Sequence, residues 1–179
     1  MNKIIVLKNH KEVPFGKYFQ IRFKEPLGYP ECPYLYRWTF ILFERSIRLH
    51  HWLRSDDRRY FHDHSADLIS IVLKGEYYNV NPIDKDKSPN ESVMGRQNVE
   101  RHYVSGIFNS WKNFFHMNNS IWFSKAEVRH YLHIPKTGAW TLLLEGKAYN
   151  KWGFYVNGHK WRPLRYFSKF GIIQTKDYQ

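Results

Sequence analysis

The feature that most limits the fold of this chain is a series of short alternating runs. They cover 17–23 (KYFQIRF), 34–43 (YLYRWTFILF), 47–53 (IRLHHWL), 67–73 (DLISIVL), 76–81 (EYYNVN), 127–134 (EVRHYLHI), 139–146 (AWTLLLEG) and 152–156 (WGFYV). Each is rich in β-branched and aromatic residues and is bounded by Gly, Pro, Asn or Asp, the pattern of strands between turns. No stretch keeps a 3.6-residue period over three turns. Short strands at close spacing predict an all-β sandwich or barrel with few or no helices. The 7 Trp, 13 Tyr and 13 Phe fit that prediction, since aromatic side chains favour the pleated surface.

Two stretches break the rhythm. Residues 82–102 (PIDKDKSPNESVMGRQNVERH) are polar and turn-rich and read as a long exposed loop, with a short helix near 91–102. The tail 164–179 reads as a loosely packed cover over a sheet edge. With 179 residues the chain suits one domain. Its one cysteine, Cys32, rules out a disulfide framework within the chain and points to a reducing compartment. The apolar run near the amino terminus is too short for a signal peptide or a membrane span, so a cytoplasmic location is expected and no membrane partner. A net charge of +12 favours an anionic partner. The positive residues are spread along the chain, so nucleic acid is compatible with them but not favoured over a small anion.

The densest chemistry lies in 58–80 (RRYFHDHSADLISIVLKGEYYNV). Side chains alternate across a strand, so His62 and His64 face the same way and bring two imidazoles within reach of one metal ion. A third candidate is His130, in the strand-like run before PKTG at 135–138. His133 falls on the opposite face from His130. The PKTG turn reads as the closure of an antiparallel hairpin beside the histidine strand.

These residues resemble the cupins. HDH, an apolar run and LKGEY are similar to the first cupin motif; VRHYLHIPKTGAWTLLLEG, with its lone histidine before a Pro/Gly turn, is similar to the second. With PYLYRWTF and KWGFYV, the resemblance narrows to small single-domain cupins of bacteriophage and bacterial genomes and covers about 33–156. It implies a cupin-type double-stranded β-helix (jelly roll). Residues 1–32 then form an amino-terminal arm and 157–179 a carboxy-terminal extension. It also implies a divalent metal at the barrel mouth, with Fe(II), Mn(II), Ni(II) and Zn(II) not distinguished, held by His62, His64 and His130. Cupins usually add a glutamate, and here Leu68 stands at that position. Asp67 becomes a fourth ligand only if a bulge turns it inward; otherwise the set is three histidines and water.

Other candidates follow from alternation. His50 and His51 are adjacent and cannot both enter a barrel; His51 is taken as the acid/base group and Arg37 as a cavity cation for an anionic substrate. Asp63 points away from its histidine neighbours and is expected at the surface, and RSDDRR at 54–59 reads as a solvated turn. The function expected is a metal-dependent enzyme of oxygenase, isomerase or lyase type acting on a small, anionic molecule. The alternatives are a nucleotide- or sugar-binding module without turnover, and a structural homodimer. In a viral setting the compartment is the host cytoplasm.

Overall fold

Strand pairing sorts the chain into two layers that share one long strand. A computed structural model describes residues 11–14, 19–29, 32–83, 99–109 and 119–171. Among these, β1 (Lys11–Pro14), β2 (Phe19–Tyr29), β3 (Cys32–Leu42) and β4 (Arg45–Trp52) form an antiparallel meander. β4 then pairs with β9 (Ala139–Glu145), and β9 with the first half of β5 (Leu68–Pro82), which also pairs with β7 (Ile121–Ser124). The second half of β5 lies between β6 (Val99–Ser105) and β8 (Tyr131–His133). This second layer continues through single bridges from His62 to His130 and to Phe154, and so to the hairpin of β10 (Phe154–Val156) and β11 (His159–Trp161). The described residues are thus mostly antiparallel strand, with a 3-10 turn at Ile107–Asn109 and one helix, α1 (Pro163–Phe170).

The layers meet over a core drawn from both. Leu35, Trp52, Val72 and Ala139 come from the first, and Tyr77, Val104 and Ile134 from the second. Each of the larger aliphatic side chains among them contributes roughly 1.5–3 kcal/mol when removed from water. In the first half of β5 only alternate residues take part: Leu68, Ser70 and Val72 are buried, while Ile69 and Ile71 turn outward.

Several expectations change. The runs 67–73 and 76–81 are one strand and not two around a turn. The register slips between Val72 and Lys74, and Gly75 has φ +77°. A Cβ there would stand 2.3 Å from the Gly138 carbonyl oxygen, so only glycine lets the strand pass from one layer to the other. The PKTG segment is not a hairpin either. β8 pairs with the second half of β5 and β9 with the first, so the segment arches between layers. A strand as long as β5 offers an edge to both.

Of the expected polar loop, Val99 to His102 belong to β6, and 84–98 lie outside the described residues. The tail begins as a helix. Pro163 opens α1, and Tyr166 is buried and stacks on Phe154 at 3.9 Å. Arg59 donates to the carbonyl oxygens of Phe170 (2.5 Å) and Gly171 (2.6 Å) at the helix end. The segment 54–59 is therefore a structural clamp and not a solvated turn.

Candidate metal centre

His62 and His130 face each other across a single antiparallel bridge of the second layer, held by reciprocal backbone hydrogen bonds of 2.9 Å. His64 follows two residues after His62, on the same side. The three imidazoles come together, each with a ring nitrogen within 4.8 Å of the others, and Nε2 of His64 lies 2.6 Å from Nε2 of His130.

A relay of amides decides which nitrogen of His130 carries the proton. The Arg129 carbonyl oxygen only accepts, so it takes the N–H of Asn81 Nδ2 at 3.0 Å. Asn81 Oδ1 then accepts from Asn79 Nδ2 at 2.9 Å. That leaves Asn79 Oδ1 to accept from His130 Nδ1, in a short contact. The Nε2 lone pair of His130 is therefore directed at its histidine neighbours. Asn79 is 0 % exposed, so the relay is shielded from water.

The imidazoles are also in the right charge state. Burial, with His64 beside it, pushes His62 down to about 3; burial pushes His64 to about 4. His130 is held well below the usual range by burial and then by its two histidine neighbours. All three are neutral at pH 7 and offer lone pairs. Nδ1 of His62 is buried with no hydrogen-bond partner among the described residues, and its Nε2 lies 3.8 Å from Asp56. Three neutral imidazoles around one point, one of them with a buried and unpaired ring nitrogen, fit a divalent ion.

Asp67 is not part of the set. Its carboxylate accepts from the Ala126 N–H (2.8 Å) and Tyr149 hydroxyl (2.6 Å), with Lys125 3.5 Å away. No bulge turns it inward, and Leu68 faces the cavity in its place. Asp63 is 1 % exposed and not at the surface. It accepts from the Gly153 N–H (2.8 Å), Asn150 (3.0 Å), the Tyr155 hydroxyl (2.9 Å) and, in a shorter contact, Lys160. It therefore pins the histidine strand to the β10–β11 hairpin.

The cluster opens into a cavity of about 660 Å³ between the layers. Tyr34, Trp52, Trp122, Leu132 and Phe154 line its apolar part, and Arg37 reaches it while donating from Nε to Glu25 at 2.9 Å. His51 does not line this cavity: it lies flat on Trp140 on the outer face, centroids 4.2 Å apart. His50, its neighbour, faces inward, since adjacent residues on a strand take opposite sides. Sequence reasoning also missed Asn79 and Asp56. An asparagine within an aromatic strand run is the signal that could have found the first. Asp56 sits in a charged run, and burial raises its carboxyl well above the usual range.

Comparison with protein-family models and with curated protein sequences finds no match. Among solved structures, the chain is similar to iron(II) HppE with an alternative substrate, (S)-1-HPP, at TM-score 0.45 and 10% identity over 77% of this chain and 56% of that one. It is also similar to hydroxypropylphosphonic acid epoxidase from S. wedmorenis (TM-score 0.43, 12% identity, 68% of this chain, 56% of that one). For oxalate decarboxylase the TM-score is 0.39 and the identity 12%, over 78% of this chain and 28% of that one. The matched region thus spans little more than half of the epoxidase chains. At such TM-scores the likeness is distant and carries no argument; what the chain itself shows is two antiparallel layers with a His-x-His pair and a later histidine facing one cavity. Among the described residues no helix is long and apolar enough to cross a membrane.

Proposed function

We propose that the chain is a metal-dependent enzyme of the cupin type that acts on a small, anionic molecule in the cavity between its layers. The observation that carries this reading is the convergence of His62, His64 and His130, all neutral, the first two half-buried and the third buried, on that cavity. A divalent ion held by three imidazoles keeps positions open for substrate or water and supplies Lewis-acid polarisation of a bound oxygen. Fe(II), Mn(II), Ni(II) and Zn(II) all accept such a set, and oxygenase, isomerase and lyase chemistry share it.

The chain's own residues supply the rest. Asn79 fixes the His130 tautomer, the aromatic wall excludes water, and Arg37 offers a positive group to an anion. His50, and not His51, is the imidazole placed to meet a substrate.

The test is elemental analysis of the purified chain and of His62→Ala, His64→Ala and His130→Ala. The reading predicts about one transition-metal ion per wild-type chain and its loss in every variant. A wild-type chain that takes up no metal, even after incubation with all four ions, would leave a binding module without turnover as the better account.

A further inference from the structure

The wall of the cavity formed by the first layer carries an unusual row of charges. Strand register places Glu25, Arg37, His50 and Thr141 side by side on β2, β3, β4 and β9. The next inward row runs through Arg22, Thr39, Arg48 and Leu143. Arg22 lies 3.7 Å from Glu25, Arg37 donates to Glu25, and Arg48 pairs with Glu145 while donating to Ser46 at 3.0 Å. Three guanidiniums therefore face two carboxylates, which leaves the wall with one positive charge in excess.

The donors nearest the centre of this wall are not used up. Among the described residues Arg37 makes its hydrogen bond through Nε, so the outer edge of its guanidinium is turned to the cavity. His50 stands directly opposite Arg37 in register and is 7 % exposed, yet its buried Nε2 has no hydrogen-bond partner among the described residues. Burial first, then Arg37 and Arg48, keep this imidazole uncharged, so it adds a hydrogen bond but no charge. An unpaired buried nitrogen is costly, and a ligand atom placed there restores the missing hydrogen bond.

We propose that Arg37 and His50 form a carboxylate subsite, and that the molecule bound in the cavity is a small monocarboxylic acid with an apolar body. The carboxylate accepts from the Arg37 guanidinium edge and from the His50 ring N–H, one oxygen to each; a dianionic phosphate would bring a second charge and a third oxygen for which this pair has no donor. The apolar body lies against Tyr34, Trp52 and Leu132, and its far end is directed to the histidine cluster. The inference rests on the cavity being the ligand site of the proposed function, and it does not need the metal.

The experiment is ligand-observed saturation-transfer NMR on the full chain, with butyrate, benzoate, butyramide, benzamide and butyl phosphate as probes. Both carboxylates are expected to bind, with the amides and butyl phosphate weaker by at least about tenfold. His50→Ala and Arg37→Gln should each weaken benzoate by at least about tenfold while zinc stoichiometry stays at the wild-type value. Equal binding of acid and amide, tighter binding of butyl phosphate, no binding of either carboxylate, or variants that bind benzoate like wild type would each overturn the subsite. The acid–amide comparison uses only the wild-type chain, so it decides the matter if a variant does not fold. Benzoate binding in a chain that holds no zinc would support the subsite while removing the metal reading.

Discussion

Asn79 does for His130 what no neighbour among the described residues does for His62: it sets the proton on one ring nitrogen and frees the other. Its own orientation is fixed two steps away, by the carbonyl of Arg129. Replacing it with leucine, a side chain of similar volume, should leave the strand in place but release the tautomer. The expected result is a 10- to 100-fold loss of zinc affinity, read by competition with a chromogenic chelator; affinity equal to wild type would show that the relay is only structural. At this scale the sequence was legible where spacing alone decides, as with His62 and His64. It was not legible for His51 against His50. The outer face of β4 carries Ile47 and Leu49, so apolar alternation does not say which side is inside. Asp63 was misjudged because its partners lie about ninety residues away, in a hairpin that no local pattern links to it.

β5 is the element on which both layers depend. It crosses from one to the other at Gly75, where φ is +77° and Gly138 leaves no space for a Cβ. Gly75→Ala should therefore destabilise the chain by more than about 2 kcal/mol, combining backbone strain with a steric clash. Urea unfolding followed by tryptophan fluorescence checks this, and a change within about 0.5 kcal/mol would contradict it. Most strands were legible as alternating runs, but their connections were not. Lys74-Gly75 looks like a turn locally and is a bend within a strand, because the turn reading ignores what packs against it. The reverse occurs at Phe43-Glu44, where both residues have positive φ and join β3 to β4 without the Asn or Gly that such a tight turn favours. α1 was missed since two turns are too few to show a helical period.

For the whole molecule, the buried imidazoles tie stability to pH. His50, His62, His64 and His130 are all held below their usual value, with burial the leading cause. An unfolded chain protonates these four near pH 6.5, whereas folded His62 and His64 resist to about 3 and about 4. Between those limits the unfolded state binds more protons, so stability is full above about pH 6.5 and declines as the pH falls toward 4. Asp56 acts in the opposite sense, since its raised carboxyl keeps a proton that the unfolded chain gives up, but it is one group against four. The metal-free chain is thus expected to lose several kcal/mol of stability between about pH 6.5 and pH 4. Denaturant titrations at a series of pH values measure it; a flat profile across that window would mean the cluster is open to water.

The metal centre needs His130 to join the His62–His64 pair, which lies more than sixty residues earlier in the chain, on one ion. Anomalous scattering from a crystal of the metal-loaded chain tests it most directly, with data collected on both sides of the metal's absorption edge. The expected result is a single strong peak bonded to Nε2 of His64, Nε2 of His130 and a ring nitrogen of His62, at roughly 2.1 Å for a zinc-like ion. A peak at Asp67 or another surface carboxylate, with none among the three imidazoles, would contradict it.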